Sequence, residues 1–572
     1  MDYYVADFES LKQIPTRVWA WAIADIRTED IEFGNSIEGF INRLAKLKTC
    51  KIFFHNLKFD GRFILDYLMK NGWTEETEGV APKGNKKFTV SINKGQWYVL
   101  KLCFSDSHPR QKTITIQDSM KLLPFSVEQI AKSFHLPILK GSIDYEMYRE
   151  IGHELTYEEK EYIKNDVLIV ARALKFFLTL GFDKLTIGAN ALSFYKNDCL
   201  ASKNTFGCLY PKPKVEVDKF IRRSYRGGWC YTNPLFAEKD IGEGLVFDVN
   251  SLYPSRMYYE KLPVGEGIYY EGQYPKNKTF DLYIQEIRCA FEIKPNHLPT
   301  IQVHDDPYFN GNEYVTDSRG REVTLVLTNI DLDLFLEHYN VYNLVYIQGF
   351  MYKSAKGFFN KYIDYWTEQK IKAKQENNYG MYIIAKLFLN SLYGKFATSP
   401  VTEKKTPYLE DGIVKYHTIV SDDKELVYIP VGTFITAYAR NVTIRAAQKQ
   451  YHRFLYADTD SLHLVGTEVP DDLDVDDYRL GAWKMENKFK RGRYLHAKCY
   501  LEELYNEDGT TYLKPTIAGL QKRQHPLVNF DNFHYGAVYE GKLLPKIVEG
   551  GVVLEETTFE ILETSKFSSR NR

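Results

Sequence analysis

The sequence predicts two mixed units in series: an α/β domain over residues 1–185 and a larger α+β domain over residues 186–572. Three observations predict this. The 572 residues exceed what one hydrophobic core usually holds. The first unit alternates strand-like runs with helical stretches, and the second sets a long helical stretch between two strand clusters. In the first, YYVADF, RVWAWAIADI, KIFFHN, GQWYVLKLCF and KTITIQD read as strands, and SVEQIAKSF and TYEEKEYIKNDVLIVARALKFFL as helices. A Gly-rich aromatic patch, SYRGGWCYTNP, then leads into the strand-like GLVFDVNSLYP. From Asp364 to Phe396 the apolar spacing is helical, with few breakers before Gly394. A polar, turn-rich segment from Thr398 to Lys424 follows, in which Ile413, Val414, Tyr416 and Ile419 suit a small hairpin. Next come the helix TFITAYARNVTIRAAQKQ, the strand–turn–strand RFLYADTDSLHLV, and a strand-like C-terminus punctuated by Gly550 and Gly551.

Composition excludes several classes. Hydrophobic residues at 44% and charged residues at 26% are globular values, neither disordered nor fibrous. No run approaches the roughly 20 apolar residues that cross a bilayer, and Met1 leads directly into a strand-like run, so an intracellular protein is expected. Seven scattered cysteines without a C-x-x-C pair argue against disulfides and zinc. A net charge of −1 gives no global attraction to nucleic acid. The basic runs KFKRGRYLHAK, RRSYRGG and QKRQH, interleaved with aromatics, suit a phosphate-tracking groove.

Two sets of carboxylates carry the chemistry. Asp7 and Glu9 lie at i and i+2 of an apolar strand, so both project from one face, about 6.6 Å apart along the chain. A polar edge strand would look the same. Asp60 follows a strand that ends in His55 and Asn56, and Tyr162 and Asp166 are four apart on a helix, sharing a face. Four acids from separate segments suit a hydrolytic site holding two cations about 3.5–4 Å apart, with Tyr162 orienting the attacking water. In the second set, Asp248 ends an apolar strand beside a turn, and Asp458 and Asp460 sit at a hairpin tip.

The ordered motifs DVNSLYP, LFLNSLYGKFA and YADTDS resemble the three polymerase motifs of family B DNA polymerases. The whole chain is similar to the protein-primed members from small linear-genome phages, the phi-twenty-nine type. Their exonuclease motifs match DFE at Asp7–Glu9, HNLKFD at His55–Asp60 and YIKND at Tyr162–Asp166, and their linking motifs match Tyr225-Arg226-Gly227-Gly228 and Lys498-Cys499-Tyr500. The resemblance implies Asp248, the Val249 backbone and Asp460 as polymerase metal ligands, with Asp458 in support. It implies Asp7, Glu9, Asp60 and Asp166 as exonuclease ligands, with two Mg2+ or Mn2+ per site. Ser251, Leu252, Tyr253, Lys370, Lys386, Asn390 and Tyr393 would receive the dNTP, with Tyr253 excluding a 2′-hydroxyl. His55, Asn56, Ser119, Lys140 and Tyr145 would hold a single-stranded 3′ end. Tyr225, Gly227, Gly228, Thr436, Arg440, Lys498 and Tyr500 would contact primer-template. Met120 and Tyr382 depart from the family pattern, and the finger segment between Trp366 and Lys386 is longer.

The implied architecture is an RNase H-like exonuclease followed by a right-hand polymerase: palm 190–260 and 425–527, fingers 357–397 and thumb 528–572. Insertions at 261–356 and 398–424 would face a terminal protein primer and the template channel. A monomer in the cytoplasm of an infected bacterium, without a membrane partner, is expected. Paired carboxylates among aromatics also occur in glycosidases, and basic–aromatic surfaces in single-strand-binding proteins, but neither needs two ordered acid sets.

Overall fold

The computed structural model describes residues 1–76, 85–105, 112–138, 141–422 and 424–563. In the N-terminal unit the strand Asp2–Ser10 pairs in parallel with Cys50–Phe54 and antiparallel with Val18–Asp25. Cys50–Phe54 pairs in parallel with Thr113–Asp118, and helices cover both faces of the sheet. Strand periodicity divides the side chains: Val5 enters the core under helix Tyr157–Thr179, while Ala6 and Phe8 enter the opposite core with Leu57 and Ile64. Asp7 and Glu9 share Val5's face and are thereby turned towards Tyr157–Thr179. That helix starts at a capping box, in which the Thr156 hydroxyl accepts from the Glu159 N–H (3.2 Å) and Glu159 accepts from the Thr156 N–H (3.0 Å). Tyr162 and Asp166 follow in its next turns.

The hairpin Thr402–Glu410/Ile413–Ser421 adds to the edge of this N-terminal sheet, with Lys404 in register with Asn93. The expected hairpin is therefore present, but it is tied to a unit about 300 residues earlier in the chain: the Glu403 N–H donates to Asn93 Oδ1 at 2.9 Å across a separation of 310.

In the second unit an eight-stranded sheet contains Gly244–Val249 between Trp483–His496 and the hairpin Phe454–Asp458/Ser461–Val465. A four-stranded sheet spans Leu262–Ala355 and is followed by the finger helices. The helical stretch from Asp364 is not continuous. It is two helices, Asn360–Gln375 and Tyr379–Ser391, because Asn377 adopts left-handed φ (54°) and the Asn378 side chain caps the second by accepting from Met381 N–H. These helices pack on the N-terminal unit through Phe182, Trp366 and Phe388, with Phe182–Phe388 centroids 4.6 Å apart. Each such ring fully buried contributes about 1.5–3 kcal/mol. The C-terminal hairpin Val538–Val548/Gly551–Glu560 returns to the N-terminal unit, where Val552 is buried beside helix Leu57–Lys70.

Candidate active sites

Carboxylate oxygens of Asp7, Glu9 and Asp166 lie within 4.8 Å of one another, which suits a divalent cation. Asp60 stands opposite, 4% exposed, and burial followed by the charge of Asp7 pushes its carboxyl well above the usual range. Such mutual repulsion is what a bound cation would relieve. Tyr162 Oη and Tyr145 Oη share a hydrogen bond of 2.5 Å at the same cavity, of about 500 Å³. Burial and the nearby Glu9 raise the Tyr162 phenol, so it stays protonated and able to donate.

The other predicted exonuclease residues divide. Asn56 caps helix Leu57–Lys70 with left-handed φ (73°), leaving its side chain exposed beside the cavity. His55 Nε2 donates to the Phe125 carbonyl (2.7 Å), and Nδ1 bonds the Ser119 hydroxyl (2.9 Å). Ser119 is fully buried and also lies 3.1 Å from the Phe54 carbonyl, so the expectation that it touches DNA is corrected: it holds His55. Lys140 lies outside the described residues. Two contributors had no local signal. Asp118 accepts from the Asn56 and Met120 N–H groups, and Leu543, Val552 and Leu554 of the C-terminal hairpin line the cavity.

At the second site, Asp248 pairs in register with Ser461, and the Val249 N–H donates to the Asp460 carbonyl at 2.8 Å. Thr459 takes left-handed φ (62°) in a two-residue turn, which brings Asp458 and Asp460 beside Asp248. Burial and the charge of Asp460 push Asp248 up to about 7. Glu486 adds to this field. It was missed because a bulge between Val246 and Phe247, which pair with Asn487 and Met485, makes it the extra residue opposite Asp248's strand. Lys498 Nζ donates to Asp458 at 2.6 Å, and Tyr500 packs on Tyr456 at 4.9 Å. Tyr253 and Tyr393 stack at 4.1 Å. Ser251 has left-handed φ (54°) and Leu252 is buried, so this turn offers backbone rather than side chains. Lys370 is half-buried near Lys386, while Lys386 and Asn390 are exposed on the same finger pair.

Gly228 is required by contact, since a Cβ there would lie 2.2 Å from Thr459 Oγ1. Tyr225 and Gly227 precede it on the same segment, held from below by Arg440. Its Nη1 donates to the carbonyls of Arg226 (2.6 Å) and Gly227 (2.8 Å), and Nη2 and Nε bind Asp331. Arg440 and Thr436 are buried, at 0% and 1% exposure, which corrects the expectation of direct DNA contact: Arg440 braces the segment from behind and Thr436 bonds its own helix.

The basic runs are also corrected. Lys488, Lys490, Arg491 and Arg493 pair with Glu243, Glu503 and Asp240, and Arg222 and Arg223 with Asp218 and Glu286. QKRQH, by contrast, places Lys522 and His525 in an open groove of about 840 Å³ that starts at Asp458 and Lys498 and also carries Lys514.

A profile of the family described as DNA polymerase type B, organellar and viral, matches residues 41–160 and 148–477. The chain belongs to this family of DNA polymerases. Within it, the chain is similar over nearly its whole length to phage enzymes. The DNA polymerase of Bacillus phage B103 is 43% identical over 98% of this chain and 99% of that protein, and that of Bacillus phage phi29 is 42% identical over 98% of each. The Streptococcus phage Cp-1 polymerase is 34% identical over 98% of this chain and 99% of its own length. Phi29 DNA polymerase complexed with primer-template DNA and incoming nucleotide substrates superposes with a TM-score of 0.92 at 40% identity, covering 98% of this chain and 100% of that one. The expected class, an exonuclease fold joined to a right-hand polymerase, is therefore the observed one.

Proposed function

We propose that the chain is a replicative DNA-directed DNA polymerase with a separate 3′→5′ proofreading exonuclease, each site served by two divalent ions, Mg2+ or Mn2+. The observation that carries this reading is the pair of carboxylate clusters built around two separate sheets: Asp248 with Asp460, and Asp7, Glu9 and Asp166 facing Asp60. Bound cations would supply charge neutralisation and activation of the primer 3′-hydroxyl at one cluster and of water at the other. Lys370 and Lys386 meet the triphosphate, Tyr253 and Tyr393 shape the pocket under the sugar and base, and the turn at Ser251–Leu252 offers its backbone. Lys498 holds the primer end while balancing Asp458, with Tyr500 behind it. In the exonuclease, Tyr162 orients water, and Asn56, Tyr145 and Lys140 hold the strand. The exonuclease spans residues 1–185 and the polymerase residues 186–572, with palm 190–260 and 425–527, insertions 261–356 and 398–424, fingers 357–397 and thumb 528–572. Extension of an end-labelled primer with dNTPs, and its shortening without them, tests the reading.

The raised Asp248 carboxyl has a consequence with a defined sign. A group whose folded pKa is raised from 3.8 to about 7 costs the cation-free protein stability as pH climbs across that window, and a cation must displace its proton below about 7. The half-saturating Mg2+ concentration for extension should therefore rise about tenfold for each pH unit below about 7, and level off above it. Metal titrations of initial rate at several pH values check this; a pH-independent requirement contradicts it.

Protein priming, a monomeric state and work in the cytoplasm of an infected bacterium complete the proposal. Support comes from the phage origin of the relatives; among the described residues no helix is long and apolar enough to cross a membrane. Strand displacement is assigned to the hairpin Thr402–Ser421, docked on the N-terminal sheet. Opening duplex costs about 1.4 kcal/mol per base-pair step, which a closed channel couples to translocation. Replacing the hairpin with a short glycine linker should leave gap filling within about twofold while lowering extension through downstream duplex by more than about tenfold. Unchanged displacement by the folded variant would return the hairpin to a structural role.

A further inference from the structure

The seam where this hairpin meets the N-terminal unit gathers cations, three of which lack an ion pair among the described residues. Lys58 and Arg62 lie at i and i+4 of helix Leu57–Lys70 and share a face, whereas Asp60, two positions from each, is turned roughly 200° away. Gly61 lets this helix settle on Trp97, whose ring an added Cβ would meet at 2.5 Å, and Trp97 meets Tyr416 of the hairpin edge-on at 6.5 Å. The Lys94 N–H donates to the Glu403 carbonyl at 3.0 Å, fixing the strand that carries Lys405. Helix Leu57–Lys70 packs against both strands of the hairpin, which sets its Lys58 and Arg62 face against the strand that carries Lys405. Lys121 is engaged, donating to Gln96 at 2.7 Å with Asp118 at 3.8 Å. Lys58, Arg62 and Lys405 form no ion pair among the described residues. Nε and Nη1 of Arg62 and the hydroxyl of Tyr416 are buried with no hydrogen-bond partner there.

Uncompensated buried donors and crowded cations are unfavourable unless an anion with several acceptor oxygens joins them. We propose that Lys58, Arg62, Lys405 and Tyr416 form a seat for a backbone phosphate of single-stranded DNA. The guanidinium fork and the phenol supply directed donors, and the two ammonium groups supply charge. The seat faces away from Asp60, so a strand ending at the exonuclease carboxylates does not run through it. The unpaired template ahead of the primer is the strand that fits. The assignment rests on the polymerase reading.

The test is a salt titration of DNA binding in EDTA, comparing wild type with Arg62→Gln/Lys405→Gln on three DNAs: blunt duplex, duplex with a 5′ template overhang, and duplex with an unpaired 3′ primer end. Each lost single-strand phosphate contact lowers the slope of log affinity against log salt by about 0.7. The double variant should lose about one such unit on the template overhang and none on the blunt duplex, and Arg62→Lys with Lys405→Arg should restore it. Neutral methylphosphonate linkages placed singly along the overhang should weaken wild type at one or two positions and leave the double variant indifferent. A slope lost only on the unpaired 3′ end would keep the phosphate seat but overturn the template as its source. Equal slopes on all three DNAs, in a preparation whose wild type extends primers, would overturn the seat alone. A wild type that binds DNA but does not extend primers would instead overturn the polymerase reading.

Discussion

Asp248→Asn should lower primer extension by at least about a thousandfold, equivalent to ~4 kcal/mol of transition-state stabilisation, while leaving 3′→5′ degradation of single strands within about twofold of wild type. Asp248 is held between Ser461 of one strand and Lys484 of the other, and the charges of Asp460 and Glu486 act on it. Asparagine keeps the shape but removes the charge a cation needs. The relief of repulsion should also stabilise the cation-free protein slightly, so a melting temperature at or above wild type would accompany lost activity and exclude unfolding as the cause. Extension within tenfold of wild type would show that Asp248 does not serve the reaction.

The reciprocal change, Asp7→Ala with Glu9→Ala, should abolish degradation by more than about a thousandfold and spare extension. Both residues lie on the face of the first strand that looks towards Asp166, in a sheet separate from the one that holds Asp248. Misincorporated 3′ ends should then persist and be extended, so mutations per copied base rise. Loss of both activities together would indicate either a shared site or a collapsed fold, and circular dichroism of the variant separates those outcomes.

Much of this was legible where local periodicity decides direction. The alternation of Asp2–Ser10 put Asp7 and Glu9 on one face, helical spacing put Tyr162 with Asp166, and YADTDS read as a tight turn with its two acids at the tip. The hairpin around Tyr416 was equally visible from its apolar residues. What stayed hidden depends on pairing between distant segments. Glu486 reaches the polymerase carboxylates only because a bulge shifts its strand. Lys488, Lys490, Arg491 and Arg493 of KFKRGRYLHAK are neutralised by Asp240, Glu243 and Glu503, acids from distant segments. Arg440, which resembled a DNA contact, is buried by Asp331 from a helix 109 residues earlier. The break at Asn377–Asn378 was readable in principle, since paired asparagines favour left-handed φ and capping, but the surrounding apolar rhythm outweighed it.

The most direct test of two independent sites on one chain is a single assay on wild-type protein: an end-labelled primer annealed to a longer template, with Mg2+, sampled with and without dNTPs. The account predicts elongation to the template end with dNTPs and stepwise shortening from the 3′ end without them. With Asp248→Asn the primer should only shorten, and with Asp7→Ala/Glu9→Ala it should only lengthen. A primer that stays unchanged in wild type under both conditions, or one substitution that silences both directions in a folded protein, would contradict it.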